Sequence, residues 1–415
     1  MRVLILSQYF WPEMFRVNDL ASELIARGHE VTVLTGVPNY PDGHVFPAYQ
    51  EDPAAFATYE GAMVFRVPML PRGKGGLRLI ANYLSFVVGG LLRGPRMLRG
   101  REFDAIFVYQ ISPITSVLPA LWLGYRKRTP VLLWVLDLWP ETLAAIGVVK
   151  SPVLLGWIGS LVRFIYRRCD RILVQSRAFV ANVERYAGDR AKIRYFPGWA
   201  ESVFDARSLP VPAVEFEPYA SAFKLIFAGN IGQAQDFPAI IAAADLLREI
   251  PDLRWIILGD GRAGDEARAE VARRGLQEQV VFLGRFPLER MPEFFAGSDA
   301  LLVSLKDEPV WSMTIPGKVQ SYLASGRPLL AMLNGEGARV IEEAGAGLTG
   351  PAGDSAKLAA NVRAMMAMPR EERLAMGDAG RRYAAAEFDR QMLIGRLEGW
   401  IEEVRPQNAL AGMGG

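Results

Sequence analysis

The chain has 415 residues, 51% hydrophobic and 22% charged, which suits two or three folded domains of ~150 residues and excludes a disordered protein. A net charge of +2 leaves no electrostatic footprint for nucleic acid. The single cysteine, Cys169, excludes an internal disulfide and a cysteine-based zinc site. With His29 and His44 as the whole imidazole supply, a histidine-rich metal centre is excluded as well, and a cytosolic setting fits.

In chain order, Arg2-Val3-Leu4-Ile5-Leu6 reads as a buried strand and not a signal peptide, because polar Ser7-Gln8 follow at once. Val17, Leu20, Ala21, Leu24 and Ile25 keep the helical period, and Gly28 ends that helix. The remaining strands predicted in the first half are Val31–Leu34, Ala105–Tyr109, Val131–Leu136 and Arg171–Val174. Leu79–Leu92 is uncharged between Arg78 and Arg93, with further cations over 72–101. An apolar face bordered by cations can lie on an anionic membrane surface. Ser151–Val162 has a similar composition and is read as core. No stretch reaches the ~20 apolar residues that a membrane-spanning helix needs.

Residues 199–220 are irregular and Pro-rich, a linker by composition. A second series of strands follows: Lys224–Ala228, Trp255–Leu258, Val280–Leu283, Ala300–Ser304 and Leu329–Met332. Helices Pro238–Ile250 and Ala263–Gly275 lie between some of them, and 406–415 reads as a frayed tail. Short apolar runs alternating with helical ones predict two parallel α/β domains, with ligands at the carboxyl ends of their strands and a cleft between them.

The polar residues at those strand ends are the candidates for chemistry. In the first half they are Ser7-Gln8, Gln110, Asp137 and Gln175-Ser176. A carboxylate at the exit of Val131–Leu136 can orient or deprotonate a hydroxyl; alternatively, Asp137 caps the segment after Pro140. In the second half, Gly229 and Gly232 let backbone approach a phosphate, with Asn230 and Gln235 as neutral donors, or they make a plain glycine turn. Gly259-Asp-Gly261-Arg-Ala-Gly264 has the Gly-x-Gly-x-x-Gly form but is not a dinucleotide fingerprint. Glu278 precedes the next strand, whereas ribose recognition needs an acid at that strand's end, where Gly284-Arg285 stand. No Asp-x-Asp occurs, so a leaving diphosphate would be neutralised by helix ends, Lys318 and Arg285 and not by a clamped metal.

Residues 314–328 predict a short helix whose start is open to an anion. Thr314 is expected to cap it and Pro316 to fit its first turn, with Val319, Tyr322 and Leu323 as its apolar face. Gly326 is the left-handed stop before Pro328. The N–H groups of Gly317, Lys318 and Val319 would then face the ligand beside the Lys318 ammonium.

The motifs Tyr9-Phe-Trp-Pro-Glu13, Arg27-Gly-His-Glu-Val-Thr-Val-Leu-Thr35, Pro38-Asn-Tyr-Pro-Asp-Gly43 and Asp137-Leu-Trp-Pro-Glu141 are individually weak. So are Gly229-Asn-Ile-Gly232, Gly259-Asp-Gly261, Phe282-Leu-Gly284 and Pro316-Gly-Lys318 with Tyr322-Leu-Ala-Ser-Gly-Arg-Pro328. In this order and spacing they are specific. The chain resembles the retaining GT-B glycosyltransferases of family 4, and more narrowly the bacterial O-antigen and exopolysaccharide group that includes colanic-acid and N-acetylfucosaminyl transferases.

That resemblance implies an acceptor-binding Rossmann-like domain at 1–198, a donor-binding one at 221–385, and a helix at 386–405 crossing back to the first. It implies a nucleotide-sugar donor, UDP-linked by expectation, as substrate with no cofactor or metal. The expected acceptor is a polyprenyl-diphosphate-linked oligosaccharide, reached at the inner face of the cytoplasmic membrane through 72–101. Asp137, Lys318 and Arg285 are the expected catalytic residues. Gly229, Asn230, Gly232, Gln235, Gly259, Gly261, Gly284, Pro316, Gly317 and Ser321 are expected around the donor, and Glu13, Arg16 and Gln110 on the acceptor side. The family's paired glutamates are replaced here by Met313 and Ser321, and its usual Arg and Lys in the 229–236 loop by Asn230 and Gln235. These departures keep two other functions open: a non-catalytic sugar- or lipid-binding relative, and a sugar-nucleotide epimerase.

Overall fold

The computed structural model describes residues 1–41, 43–73, 75–204 and 211–405. The chain divides into two compact units, Met1–Pro197 joined by the stretch from Gln391, and Gly198–Arg390. Each is a Rossmann-like α/β domain on a largely parallel sheet, as the alternation of apolar runs predicts.

The first sheet holds β1 (Arg2–Leu6), β2 (Glu30–Gly36), β3 (Thr58–Tyr59), β4 (Ala62–Val67), β5 (Ala105–Gln110), β6 (Val131–Val135), β7 (Arg171–Val174) and β8 (Ile193–Tyr195). Their order is β3-β4-β2-β1-β5-β6-β7-β8, with only β3 antiparallel to its neighbour. The five strands visible in the sequence are the contiguous middle of the sheet. Covered on both faces, they are near-continuous apolar runs such as Val3–Leu6, which is fully buried. The three missed strands are the two edges, β3 and β8, and β4, which lies between β3 and β2. β4 was obscured by Arg66, whose buried guanidinium donates to the carbonyls of Gly36 (3.0 Å) and Trp11.

The crossovers from β4 to β5, β5 to β6 and β6 to β7 step the same way across the sheet. Right-handedness therefore places their helices, Gly76–Met97, Leu118–Lys127 and Pro152–Arg168, on one face, where they pack side by side. Gly90 permits the close approach of the first two, since a Cβ there would lie 2.7 Å from Pro119. The outer side of this layer is apolar: Leu77, Ile80, Leu84, Val88 and Leu92 are exposed on the first helix, Trp122 and Tyr125 on the second. Reading Ser151–Val162 as core is corrected here, because Val153, Leu154 and Trp157 are exposed, Trp157 by 75%. That run is apolar around its whole circumference. Its inner side is satisfied by Gly159 and Val162, and composition alone could not tell which side was covered. Among the described residues no helix is long and apolar enough to cross a membrane.

The last helix, Arg390–Val404, packs on the first unit. Arg27 meets Glu398 at 2.8 Å, His29 Nε2 lies 2.6 Å from the same carboxylate, and Arg171 meets Glu403 at 3.0 Å. Trp400 sets its ring edge-on to Phe196.

The second sheet holds β9 (Phe223–Ala228), β10 (Leu253–Leu258), β11 (Val280–Gly284), β12 (Ala300–Ser304), β13 (Leu329–Met332) and β14 (Gly347–Gly350), in the order β11-β10-β9-β12-β13-β14. Again the missed strand, β14, is an edge; its glycines give no apolar run. An apolar core covers each face of this sheet. The helix after β9 ends at Asp245, short of the expected Ile250. Of residues 199–220, Ala213 and Phe216 are buried in the core of this unit. Residues 205–210 and the tail 406–415 lie outside the described residues, as do Asp42 and Lys74.

Candidate functional site

A cavity of about 390 Å³ opens in the second unit at the carboxyl ends of β9, β10 and β11. Glycines build its floor. Gly229 and Gly259 have φ of 136° and 122°, and a Cβ on Gly259 would lie 2.0 Å from the Gly229 carbonyl oxygen. Two strand-end loops can nest there only as glycine. Gly261 packs the same way, 2.4 Å from Ile231 O for an added Cβ. The Gly-x-Gly-x-x-Gly sequence is thus a packing device between loops.

The helix Gly317–Ser325 forms the opposite wall. It begins two residues later than a cap at Thr314 would place it. Pro316 is its N-cap with extended ψ, and no side chain caps it. Thr314 does not reach the helix start, because its hydroxyl donates to Val310 O at 2.9 Å. The N–H of Val319 is not offered to a ligand either; it donates to Pro316 O at 2.8 Å. Gly326 makes the left-handed stop at φ 70°. The helix is fastened to the end of β9 by Tyr322, whose hydroxyl accepts from Ala228 N–H and donates to Ala228 O.

Lys318 carries the electrostatics of this cavity. Its ammonium is buried, has no hydrogen-bond partner among the described residues, and stands 3.6 Å from the centroid of the Phe227 ring. Gly229 makes the room, since a Cβ there would come within 3.3 Å of Nζ. Burial pushes the Lys318 pKa down to about 7. Arg285 reaches the cavity from the end of β11, exposed to solvent. Ser321, one helical turn from Lys318, donates its hydroxyl to the Glu201 carboxylate. Glu201 also lines the cavity, and the sequence reading missed it because it lies in the segment read as linker. The apolar remainder includes Phe204, Phe286, Leu288, Met291 and Phe295.

Of the expected donor residues, Gly229, Gly259, Gly317, Lys318, Ser321 and Arg285 come together around this cavity. Asn230, Gly232, Gln235, Gly261, Gly284 and Pro316 are not in its lining. Gln235 turns back on its own loop, where its side-chain oxygen accepts from Gly232 N–H at 3.0 Å.

In the first unit, Asp137 follows β6, near Ser112, which hydrogen-bonds its carboxylate. Burial nevertheless raises its pKa to about 7. Around the neighbouring strand ends, Tyr9, Phe15 and Tyr40 pack ring on ring at 5.1–5.5 Å, and Tyr109 meets Phe15 edge-on. Glu13 is buried, and its carboxylate accepts the N–H groups of Phe10, Asn39 and Tyr40 at 2.7–3.1 Å. It ties the loop after β1 to the loop after β2. Arg16 opens the helix Arg16–Ala26 beside Tyr109, and Gln110 is buried, donating to Ile111 O. Among the described residues no group of three His, Cys, Asp or Glu is placed to hold a metal.

Residues 15–199 match the glycosyl transferase 4-like domain, and residues 222–368 the glycosyl transferases group 1 domain. The chain is 25% identical over 354 residues to WcaI of Escherichia coli K12, named as a candidate colanic acid biosynthesis glycosyl transferase; the match covers 79% of this chain and 82% of that one. The crystal structure of Anabaena HepE in complex with UDP and glucose superposes with a TM-score of 0.67 at 15% identity, over 97% of this chain and 100% of that one. WaaG, a glycosyltransferase involved in lipopolysaccharide biosynthesis, gives 0.66 at 15% identity, over 97% and 99%.

Proposed function

From the premise that the chain belongs to the glycosyltransferases built of a 4-like and a group 1 domain, we propose that it moves a sugar from a UDP-linked donor to a polyprenyl-diphosphate-linked oligosaccharide. The product would be a bacterial surface polysaccharide such as O-antigen or exopolysaccharide, made with retention of anomeric configuration. The buried, unpartnered Lys318 ammonium carries this reading. A buried cation that no carboxylate hydrogen-bonds is costly, so a site that keeps one suits an anionic ligand. The UDP in the similar HepE structure supports a nucleoside diphosphate as that anion.

In this scheme the bond from the anomeric carbon to the diphosphate oxygen breaks as the acceptor oxygen attacks from the same face. The departing phosphate takes the acceptor's proton, and Lys318 with Arg285 and the start of Gly317–Ser325 stabilises its charge. These groups supply the positive charge themselves, so the scheme needs no metal. Asp137, from the first domain, orients the acceptor hydroxyl by accepting its hydrogen bond. The acid-free helices Gly76–Met97, Leu118–Lys127 and Pro152–Arg168, apolar outside and rich in Arg, support contact with an anionic bilayer that would bring a lipid-linked acceptor. The test is purified protein with radiolabelled UDP-sugars and a lipid-linked oligosaccharide extract. Label entering the lipid phase supports the proposal. Binding of UDP-sugar without any transfer, or conversion of the donor alone seen by NMR, contradicts it.

A further inference from the structure

The cavity that holds Lys318 also holds a carboxylate, an unexpected group in a site for an anion. A buried serine within a helix commonly turns its hydroxyl back to the carbonyl four residues earlier. Ser321 instead donates outward to Glu201, and so fixes where that carboxylate stands. The surrounding contacts give the cavity an order. Lys318 and Ser321 share one face of the helix, a turn apart. Beyond Ser321, Tyr322 meets the ring of Phe295 edge-on at 5.3 Å, and Phe295 stacks flat on Phe204 at 5.4 Å with an interplanar angle of 3°. Glu201 thus shares the cavity with the cation and the aromatic wall, and Glu201 and Phe204 come from one turn of chain.

An ionised carboxylate only accepts hydrogen bonds, at about four lone-pair positions. Next to phosphate it repels, so a ligand that places phosphate at Lys318 must bring hydroxyl donors to Glu201. In a nucleoside diphosphate the group between the phosphates and the base is the ribose, whose 2′- and 3′-hydroxyls are vicinal donors. Resting on the donor-pocket reading above, we infer that Glu201, positioned by Ser321, accepts the ribose hydroxyls of the bound nucleotide and makes the pocket select ribonucleotides over 2′-deoxyribonucleotides.

The experiment is calorimetric titration of UDP and 2′-deoxy-UDP into the wild-type chain, Glu201→Gln and Ser321→Ala, with thermal melting to verify each fold. A hydrogen bond to a charged group corresponds to about 10- to 100-fold in affinity, so the wild type should prefer UDP by about that factor. Glu201→Gln should weaken UDP most, weaken 2′-deoxy-UDP less because only its 3′-hydroxyl remains to donate, and collapse the ratio. Ser321→Ala should reduce the ratio partway, because the carboxylate remains but loses the hydroxyl that Ser321 donates to it. An unchanged ratio in Glu201→Gln, or an equal loss for both nucleotides, overturns the inference while leaving the donor pocket intact. If neither nucleotide binds the wild type, the donor-pocket reading fails, and this inference with it.

Discussion

The Lys318 ammonium lies 3.6 Å from the centroid of the Phe227 ring, over the face of an aromatic that closes the end of β9. The π face is a favourable contact for an ammonium that has no hydrogen-bond partner among the described residues. It holds the side chain in place without neutralising it, so its charge stays available to a ligand.

Replacing this lysine should therefore separate activity from stability. Lys318→Ala is expected to lower turnover about 100- to 1000-fold, the usual effect of losing one donor to a developing anion, of about 2.7–4 kcal/mol. The same change removes an uncompensated buried charge, so the melting temperature should stay level or rise. Turnover within tenfold of wild type would show that Lys318 does not face the reacting phosphate.

The depressed pKa of Lys318 sets a pH dependence whose sign is fixed. Above pH 7 the folded chain leaves Lys318 neutral, whereas the unfolded chain keeps the proton up to ~10.4. The unfolded state then binds more protons, so this group's contribution to stability rises with pH between about 7 and ~10.4. A diphosphate restores the charge on binding. UDP titrations at pH 8 in buffers of different ionisation enthalpy should show uptake of close to one proton, absent in Lys318→Met, and affinity should fall as pH climbs above 7.

Asp137 works from the other side of neutrality. With its pKa raised to about 7, it is mostly protonated in acid, and only the ionised carboxylate can orient the acceptor hydroxyl by accepting its hydrogen bond, so kcat/KM should fall as pH drops through 7. Asp137→Asn should abolish transfer and leave UDP affinity within about twofold. Loss of UDP binding in that variant would mean that it damages the fold and not the chemistry.

The apolar helical layer makes a prediction that is independent of catalysis. Its three helices contain Arg and Lys but no Asp or Glu. Flotation with phosphatidylglycerol vesicles should recover the protein, and phosphatidylcholine vesicles should recover far less. Trp157→Asp combined with Leu84→Asp should weaken vesicle binding at least tenfold, given about 1.5–3 kcal/mol per buried large side chain, without altering UDP binding. Equal recovery of the variant would exclude this face.

Much of the fold could be read in the sequence because central parallel strands are buried on both sides and have no polar positions to confuse the pattern. Val131–Leu136 is one such run, and it led directly to Asp137. Strands at or next to the edges lack that signal: β4, second from its edge, contains an arginine and β14, at its edge, contains glycines. Lys318 was legible from Pro-Gly-Lys at a helix start, although the cap was not, because Thr314 bonds to the preceding turn instead. Glu201 was not legible at all. It reaches the cavity from a segment without periodicity, and its partner Ser321 lies 120 residues away in sequence. No local pattern announces such a pair. The exposure of Trp157 was hidden for another reason: a helix that is apolar all round has the same composition whether solvent, lipid or protein covers its outer side.

The central claim is that the cavity beside Lys318 grips a diphosphate with the protein's own charges. A crystal structure of the chain soaked with UDP and magnesium tests it most directly. The account predicts the diphosphate in hydrogen-bond contact with the Lys318 ammonium at the start of Gly317–Ser325, with the base against Phe295 and Phe204. UDP bound elsewhere, or held through magnesium to acidic side chains, would contradict it.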